Sequence, residues 1–263
     1  MKAAQIFNVA GDVAFVTGAA SGLGRAMAEV MADNGAHVVM TDIDGAKLAE
    51  AAETLARRGG KVTAETLDVA DLAALRRSIL AAAAAHGRLD AVFANAGISA
   101  GPGPAVPAGE IARVALAAWE RVVHVNLTSV MVTIQAAAEV MKPQKRGRIV
   151  VTASIGGMRS EPMVGYAYAA TKAAIINLVR QAAIELAPAG VVVNAIAPGP
   201  FLTNIGNGRL RDPAVREAFA RDVPQGRLAD PSEIKGLALL LASPAASFIT
   251  GTVIPIDGGA TAV

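Results

Sequence analysis

Only two tyrosines occur in the chain, and one of them stands four residues before a lysine. Tyr168 and Lys172 fall within a helical pattern, so this spacing places both side chains on one helix face. An ammonium beside a phenol stabilises the phenolate and lowers the tyrosine pKa, which makes the phenol usable as an acid or base. Ser154 follows a predicted strand and can hold a substrate oxygen beside that phenol. Taken alone, such a pair is also compatible with an ordinary surface contact.

A glycine-rich turn lies between the first predicted strand and the first predicted helix. Gly18, Gly22 and Gly24 have the spacing G-x-x-x-G-x-G, with Ser21 and Leu23 among them. Glycine permits a positive φ and lets a phosphate approach the backbone. The helix that follows directs free N–H groups and a positive dipole end at an anion. Turn glycines are common, but their place between a strand and a helix favours a nucleotide-binding turn.

Acidic residues end the second and third predicted strands. A carboxylate at Asp42 can accept hydrogen bonds from two ribose hydroxyls and repels a 2′-phosphate. Neither Ser21 nor Ile43 brings a cation for such a phosphate, so we expect NAD rather than NADP. The alternative is that Asp42 is only a turn residue at the end of the strand. Asp68, followed by Val69, either bonds the adenine amino group or caps the next helix.

The elements that must position these residues alternate regularly along the chain. The predicted strands cover residues 12–17, 37–41, 61–67, 90–95, 148–152, 191–196 and 252–256, and the main predicted helices cover residues 23–34, 46–58, 72–86, 119–141, 166–186 and 232–242. The helix over residues 119–141 is expected to stop before Pro143. The strands lack period-two alternation, which suits a parallel sheet covered on both faces.

This alternation predicts an α/β fold. We expect one doubly wound Rossmann domain over residues 1–263, with about seven parallel strands and helices on both faces. The polar stretch around residues 200–228 is interpreted as a lid-like insertion.

The composition excludes several classes of protein. Hydrophobic residues make up 53% and charged residues 17%, which favours a large core over disorder. The absence of cysteine excludes a disulfide scaffold and a thiolate metal site, and the three histidines lack metal-ligand spacing. No secretory signal or membrane span is predicted, so we expect a cytoplasmic protein. Basic and acidic residues nearly balance, and residues 142–148 are interpreted as a solvated loop rather than a nucleic-acid surface.

Taken in order, the motifs resemble those of the short-chain dehydrogenase/reductase family over nearly the whole chain. The matching pieces are T-G-A-A-S-G-L-G at residues 17–24, Asp42, Asp68-Val69, N-A-G at 95–97, V-N at 125–126, Ser154, Y-A-A-T-K at 168–172, N-A-I-A-P-G at 194–199, Thr203 and I-D-G-G at 256–259. One piece alone is weak evidence, whereas all of them in this order are very specific. The resemblance implies hydride transfer between NAD, or less favourably NADP, and a small alcohol or ketone.

The resemblance also implies a role for each site residue. Tyr168 exchanges a proton with the substrate oxygen, Ser154 hydrogen-bonds that oxygen, and Lys172 lowers the tyrosine pKa and binds the nicotinamide ribose. Asn126 holds a water that completes a proton relay, or is instead a core residue that bridges backbone groups. The implied cofactor contacts are Gly18, Ser21, Gly22, Leu23, Gly24, Asp42, Ile43, Asp68, Val69, Asn95, Ala96, Gly97, Tyr168, Lys172, Pro198, Gly199, Phe201 and Thr203.

Two spacings bear on this assignment. Ser154 lies fourteen residues before Tyr168, one more than the family pattern, and residues 155–165 are expected to absorb the extra residue. Tyr166 restores the shorter spacing, but Lys172 then misses its helix face. The enoyl reductases of the superfamily place the tyrosine seven positions before the lysine. Gly165 stands there, which disfavours double-bond reduction.

The predicted substrate pocket draws on residues 99–107, 155–164 and 201–223. Its side chains suggest a moderately apolar secondary alcohol or ketone; they are Met158, Met163, Val164, Phe201, Leu202 and Ile205. Arg159 either pairs with an anionic substrate group or is a solvated loop residue.

The resemblance implies a homotetramer built on the helices over residues 119–141 and 166–186 and on the C-terminal strand. Two other functions stay open. One is a 3-oxoacyl-thioester reductase of the fatty-acid type, and the other is a non-catalytic NAD-binding scaffold.

Overall fold

Seven parallel strands form one sheet in the computed structural model, which describes residues 2–203, 205, 208 and 212–263. The strands are β1 (Val13–Thr17), β2 (His37–Asp42), β3 (Lys61–Thr66), β4 (Ala91–Ala94), β5 (Gly147–Thr152), β6 (Val191–Pro198) and β7 (Val253–Ile256). Their spatial order is β3-β2-β1-β4-β5-β6-β7. The order reverses between β1 and β4, where the carboxyl ends of an open parallel sheet leave a crevice for a ligand. The predicted fold class is confirmed.

Helices cover both faces of the sheet. They are α1 (Ala3–Ile6), α2 (Gly22–Asp33), α3 (Gly45–Arg57), α4 (Leu72–His86), α5 (Leu116–Val123), α6 (Ser129–Gln144), α7 (Tyr166–Leu186), α8 (Pro213–Arg221) and α9 (Lys235–Ala242). One hydrophobic cluster packs α4, α6 and α7 on one face, through residues such as Ile134 and Ile175. A second packs α2, α3 and α9 on the other face, through Met27 and Leu241. Because the central strands are buried on both faces, their sequences are continuously apolar.

The helix predicted over residues 119–141 is in fact two helices. A π-helical turn over His124–Thr128 joins α5 to α6, and α6 continues to Gln144. The prediction that this helix stops before Pro143 is therefore wrong. The Gln144 side chain pairs with the backbone N–H and carbonyl of Leu89 at 2.9 and 2.8 Å, which holds the last turn in place beyond the proline.

An ion cluster lies at the amino ends of the central strands. Asp12 and Asp90 are largely buried, and they pair with Arg146 at 2.6 Å and Arg88 at 2.7 Å respectively. Residues 142–148 span the end of α6 and the start of β5. Lys142, Lys145 and Arg146 are exposed, in agreement with the interpretation of a solvated segment, although Arg146 also pairs with Asp12 in the cluster that joins β1, β4 and β5.

The chain between β6 and β7 contains the predicted lid-like insertion around residues 200–228. The two ends of this segment contact each other. Phe201 and Ala229 form a β-bridge, and Ala229 donates a hydrogen bond to the Pro200 carbonyl at 2.9 Å. Residues 204, 206, 207 and 209–211 lie outside the described residues, and the lid stays a prediction. Within the ranges given above, no helix combines the length and the apolar character needed to cross a bilayer.

Candidate active site

A cavity of about 390 Å³ opens at the carboxyl ends of the central strands. The structure brings most of the sequence-predicted site residues to its lining, namely Gly18, Ser21, Gly22, Leu23, Asp42, Asn95, Ala96, Gly97, Ser154, Tyr168, Lys172, Pro198, Gly199, Phe201 and Thr203. The glycine turn and the tyrosine–lysine pair therefore face one shared space, although 150 residues of sequence separate Gly18 from Tyr168. Parallel topology explains this, since every strand delivers its carboxyl end to the same edge.

Five predicted site residues lie outside the described lining of the cavity: Gly24, Ile43, Asp68, Val69 and Asn126. Ile43 is 66% exposed beside Asp42, whereas Val69 is buried in the core. Asp68 is exposed and accepts a hydrogen bond from the Ala70 N–H. The alternative in which Asp68 caps the next helix is wrong, because Asp71 is the N-cap of α4. The adenine contact of Asp68 stays a prediction.

Asn126 lies in the π-helical turn and is fully buried. Its amide accepts a hydrogen bond from the Ile98 N–H and donates one to the Ile98 carbonyl, both at 2.8 Å. This geometry matches the alternative of a core residue that bridges backbone groups. The amide oxygen nevertheless comes near the site: a Cβ built on Gly97 would lie 3.3 Å from it and 3.9 Å from the Lys172 ammonium.

The glycine turn is held from below by Asn95. The Asn95 amide donates to the Thr17 carbonyl at 3.0 Å and accepts a hydrogen bond from the Thr152 hydroxyl, also at 3.0 Å. These bonds join the ends of β1, β4 and β5. Above the turn, α2 begins at the cavity, and the Ser21 side chain makes no capping hydrogen bond there in the described structure. The first N–H groups of a helix have no partner within it, so this end is suited to bind a phosphate.

Gly24 supports the turn through close packing rather than through contact with the cavity. A Cβ at this position would lie 2.1 Å from the Gly18 carbonyl oxygen and 2.5 Å from the Asn95 amide nitrogen. The backbone of the turn must move to admit even one methyl group. We therefore expect Gly24→Ala to weaken NADH binding at least about tenfold and to destabilise the fold by roughly 1–3 kcal/mol. Fluorescence titration with NADH and urea denaturation measure the two effects.

Gly236 provides the matched control for that variant. It lies in α9, and a Cβ there would have no neighbour within 4 Å. Gly236→Ala is expected to leave NADH binding unchanged and to raise stability by at most about 1 kcal/mol, as helix propensity predicts. Equal NADH affinity in wild type and Gly24→Ala would contradict the packing argument.

Asp42 serves both as a turn residue and as part of the lining. Its carboxylate accepts hydrogen bonds from the backbone N–H groups of Ala20 and Asp44, each at 3.0 Å. A carboxylate oxygen can accept more than one hydrogen bond, so capacity remains for hydroxyls of a ligand. The two backbone bonds fix the carboxylate at the edge of the cavity.

The remaining side chains converge at the other end of the cavity. The Lys172 ammonium donates to the Thr152 carbonyl at 2.6 Å and lies 5.5 Å from the centre of the Tyr168 ring. The Ser154 hydroxyl accepts a hydrogen bond from the Gly156 N–H at 3.1 Å, and its interaction with the Tyr168 phenol acts to lower the pKa of that phenol. The half-buried Tyr168 and the buried Ser154 and Lys172 thus lie together as one polar group.

Burial controls the protonation of this group. It raises the pKa of Tyr168 above its ordinary value, and the hydrogen bond with Ser154 acts in the opposite direction. Burial also lowers the pKa of Lys172 to about 8. The expected lowering of the tyrosine pKa by Lys172 does not appear, because loss of hydration outweighs the attraction of an ammonium directed at Thr152. The phenol is therefore protonated at neutral pH and able to donate its proton.

Sequence reasoning missed part of the lining. Thr152 and Ala260 belong to it, and so does Glu161, which lies within the predicted pocket segment 155–164 but was not singled out there. A threonine inside a strand gives no signal that its backbone carbonyl holds a lysine. Two predicted pocket residues, Met158 and Leu202, are instead 43% exposed and absent from the described lining.

Comparison with known proteins places this chain among oxidoreductases. A family model described as enoyl-(acyl carrier protein) reductase matches residues 18–261. The cis-4-hydroxycyclohexanecarboxylate dehydrogenase of Sinomonas cyclohexanicum is 39% identical over 255 residues, which is 95% of this chain and 97% of that protein. The cyclohexanol dehydrogenase of Rhodococcus sp. (strain TK6) is 36% identical over 272 aligned residues, covering 95% of this chain and 96% of that one.

Solved structures are also similar to this chain. One, from Beutenbergia cavernae, is provisionally named an NAD(P)-dependent gluconate 5-dehydrogenase and has NADP bound at low occupancy. It superposes with a TM-score of 0.90 at 37% identity, over 98% of this chain and all of that one.

Proposed function

Because the chain belongs to the short-chain dehydrogenase/reductase family, we propose that it transfers a hydride between a nicotinamide dinucleotide and a cyclic secondary alcohol or ketone. One observation carries this proposal: Ser154, Tyr168 and Lys172 face the same cavity as the glycine turn. The names of the two cyclohexane-ring dehydrogenases among the relatives support the substrate class.

The residues around the glycine turn fit a dinucleotide. The uncapped start of α2 suits the pyrophosphate, and the Asp42 carboxylate suits ribose hydroxyls. Thr203 packs against this turn, since a Cβ on Gly22 would lie 3.3 Å from its methyl group. A bound nicotinamide supplies the acceptor or donor of the hydride. Proton exchange and positioning of the substrate oxygen are assigned to the chain's own side chains.

Tyr168 is the proposed acid and base. In ketone reduction the protonated phenol donates its proton to the ketone oxygen. In alcohol oxidation the phenolate accepts the proton of the alcohol. Ser154 holds that oxygen next to the phenol. Lys172 keeps a positive charge close to the phenol ring and stabilises the phenolate once the proton has left. The proposed relay runs from there past Gly97 toward the Asn126 amide.

Reduction of a carbon–carbon double bond is disfavoured despite the description of the matching family model. Gly165 occupies the position seven residues before Lys172. It is buried, and a Cβ there would lie 2.7 Å from the Ala100 carbonyl oxygen, so a tyrosine does not fit. The proton donor is therefore assigned to Tyr168, at the spacing typical of carbonyl chemistry.

A panel of alcohols with NAD, followed at the NADH absorbance band, tests the proposed function. Cyclohexanol and ring-substituted cyclohexanols are expected to produce NADH, and 3-oxoacyl thioesters are expected to be poor substrates in the reverse direction. NADH that binds without reacting with any alcohol or ketone of the panel would instead indicate a non-catalytic scaffold. Strong preference for an oxoacyl thioester would indicate the fatty-acid type of reductase.

NAD is the proposed cofactor, because Asp42 would lie against the 2′-phosphate of NADP. Ile43 next to it is apolar, and Arg25 and Lys47 both form ion pairs with acidic side chains. We expect Asp42→Asn to reduce the preference for NAD over NADP at least about tenfold, equivalent to ~1.4 kcal/mol. The ratio of the two kcat/KM values measures it.

Asp33→Asn, on the last turn of α2, is the control for the Asp42 variant, because Asp33 lies outside the described lining of the cavity. It should keep the wild-type ratio. A wild-type enzyme that uses NADP better than NAD would contradict the assignment.

We also propose that the chain assembles as a homotetramer. Large apolar side chains are exposed on the elements expected at its interfaces: Met131 on α6, Ile184 on α7 and Phe248 just before β7, the last of them fully exposed. Burial of such side chains between subunits would stabilise the assembly. The cytoplasmic location stays a prediction.

A further inference from the structure

A second acidic side chain faces the cavity near the reacting residues. Glu161 is part of the lining, and its side chain is only 10% exposed. Its carboxylate pairs with Arg159 at 2.7 Å, and Arg159 also lines the cavity. A carboxylate is rarely buried without such a partner, because loss of hydration is costly. The pair presents an oxygen acceptor to the cavity while adding no net charge.

Glu161 lies close to the place where the substrate oxygen must sit. A Cβ built on Gly156 would be 3.5 Å from the Ser154 hydroxyl, 3.8 Å from Cγ of Glu161 and 3.8 Å from a methyl of Val164. The three side chains therefore lie around the position that a side chain of residue 156 would occupy, and Gly156 lines the cavity with them.

The segment that carries Glu161 is supported by two other segments. The Pro162 carbonyl accepts a hydrogen bond from the Ala105 N–H at 2.9 Å, and Val164 forms a β-bridge with Pro102. Arg159 donates to the Ala260 carbonyl, which ties the pair to the C-terminal segment. An acceptor held in place before binding loses little entropy when a ligand arrives.

We propose that Glu161 is a specificity-determining residue that accepts a hydrogen bond from a second hydroxyl group of the substrate. Resting on the function proposed above, this makes the substrate an uncharged cyclic diol or polyol. A carboxylate accepts and never donates, so it binds a hydroxyl and repels a substrate carboxylate. Arg159 is occupied by Glu161 and the Ala260 carbonyl, which leaves it poorly placed to attract an anion. Arg159 bonds to Oε1 of Glu161, and a substrate with one hydroxyl would leave the remaining acceptor capacity of this carboxylate unused.

Three probes test this inference: cyclohexanol, cyclohexane-1,4-diol and 4-hydroxycyclohexanecarboxylate. In wild type we expect kcat/KM for the diol to exceed that for cyclohexanol at least about tenfold, mainly through a lower KM. Glu161→Ala should abolish this preference by lowering kcat/KM for the diol to about the value for cyclohexanol. The same variant should improve kcat/KM for the carboxylate at least about fivefold, because Arg159 loses its partner.

The matched control is Glu185→Ala, which removes an exposed carboxylate paired with Lys142 on the surface. It should leave all three probes unchanged. If Glu161→Ala lowers kcat/KM equally for all three probes, Glu161 only supports the fold. If wild type prefers the carboxylate probe, Arg159 recognises the substrate instead. Either result overturns the inference while the proposed function stands. Failure of wild type to oxidise any of the probes would overturn the proposed function, and the inference with it.

Discussion

Replacing Tyr168 with phenylalanine is expected to lower kcat/KM by roughly 100- to 10,000-fold, the range typical for loss of a general acid or base. The variant keeps the ring and removes only the phenol hydroxyl, whose pKa the interaction with Ser154 acts to lower. Dinucleotide binding should persist, because the glycine turn and Asp42 are untouched. Steady-state rates at the NADH absorbance band and fluorescence titration with NADH measure the two properties.

Tyr166 supplies the matched control, since it is the chain's other tyrosine and begins the same helix. It lies outside the described lining of the cavity, so Tyr166→Phe should retain the wild-type rate. The pH profile adds a further test. Because burial raises the pKa of Tyr168, alcohol oxidation should accelerate toward alkaline pH in wild type. A fully active Tyr168→Phe enzyme would disprove the assigned proton donor.

Replacing Lys172 with methionine is expected to remove activity and to stabilise the protein at the same time. Activity should fall at least about 100-fold, because no positive charge then stabilises the phenolate. The free energy of unfolding at pH 7 should rise by about 1–3 kcal/mol. The buried ammonium disfavours folding, as its lowered pKa indicates, and methionine fills a similar volume without that charge.

The pH dependence of this stabilisation follows from the two pKa values. Below about pH 8 the lysine is protonated in both states, so the folded wild type bears the full cost of the buried charge. Between about pH 8 and the ordinary value of 10.5, the unfolded chain binds more protons, and wild-type stability from this group rises with pH. The difference in unfolding free energy between Lys172→Met and wild type should therefore decrease as the pH rises through this range.

Urea denaturation of both proteins at pH 7 and pH 10 measures the effect. Lys142→Met is the control, because Lys142 is exposed and pairs with Glu185 on the surface. Its stability should stay within about 0.5 kcal/mol of wild type at both pH values. A Lys172→Met protein that is less stable than wild type at pH 7 would show that the ammonium contributes to folding instead of opposing it.

The sheet was predictable because its signals are local and repeated. Each buried strand is a continuous apolar run, and α4 and α7 have the predicted bounds. The boundary errors have specific causes. The end of α6 depends on Gln144 reaching the backbone of Leu89, fifty-five residues away in sequence. The π-helical turn around Asn126 likewise depends on the contact with Ile98, which no local pattern indicates.

The site was predictable where a residue's chemistry and its place at a strand end coincide. Gly18, Asp42 and Ser154 meet both conditions and line the cavity. Glu161 does not lie at a strand end: it lies in the predicted pocket segment 155–164, a loop whose position is set by contacts with Ala105 and the C-terminal segment. The direction in which the pKa of Tyr168 shifts could not be predicted from the sequence, because residue spacing reveals a neighbouring charge but not the extent of burial.

The supports of the Glu161 segment have an evolutionary consequence. Those contacts join three surface segments to one another, through Ala105, Val164 and Ala260, whereas Asn95 independently braces the glycine turn. We therefore expect mutations in these segments to change the substrate end of the crevice more than the glycine turn. A lineage built on this scaffold can acquire new substrates by small changes in these segments while it inherits its cofactor half unaltered.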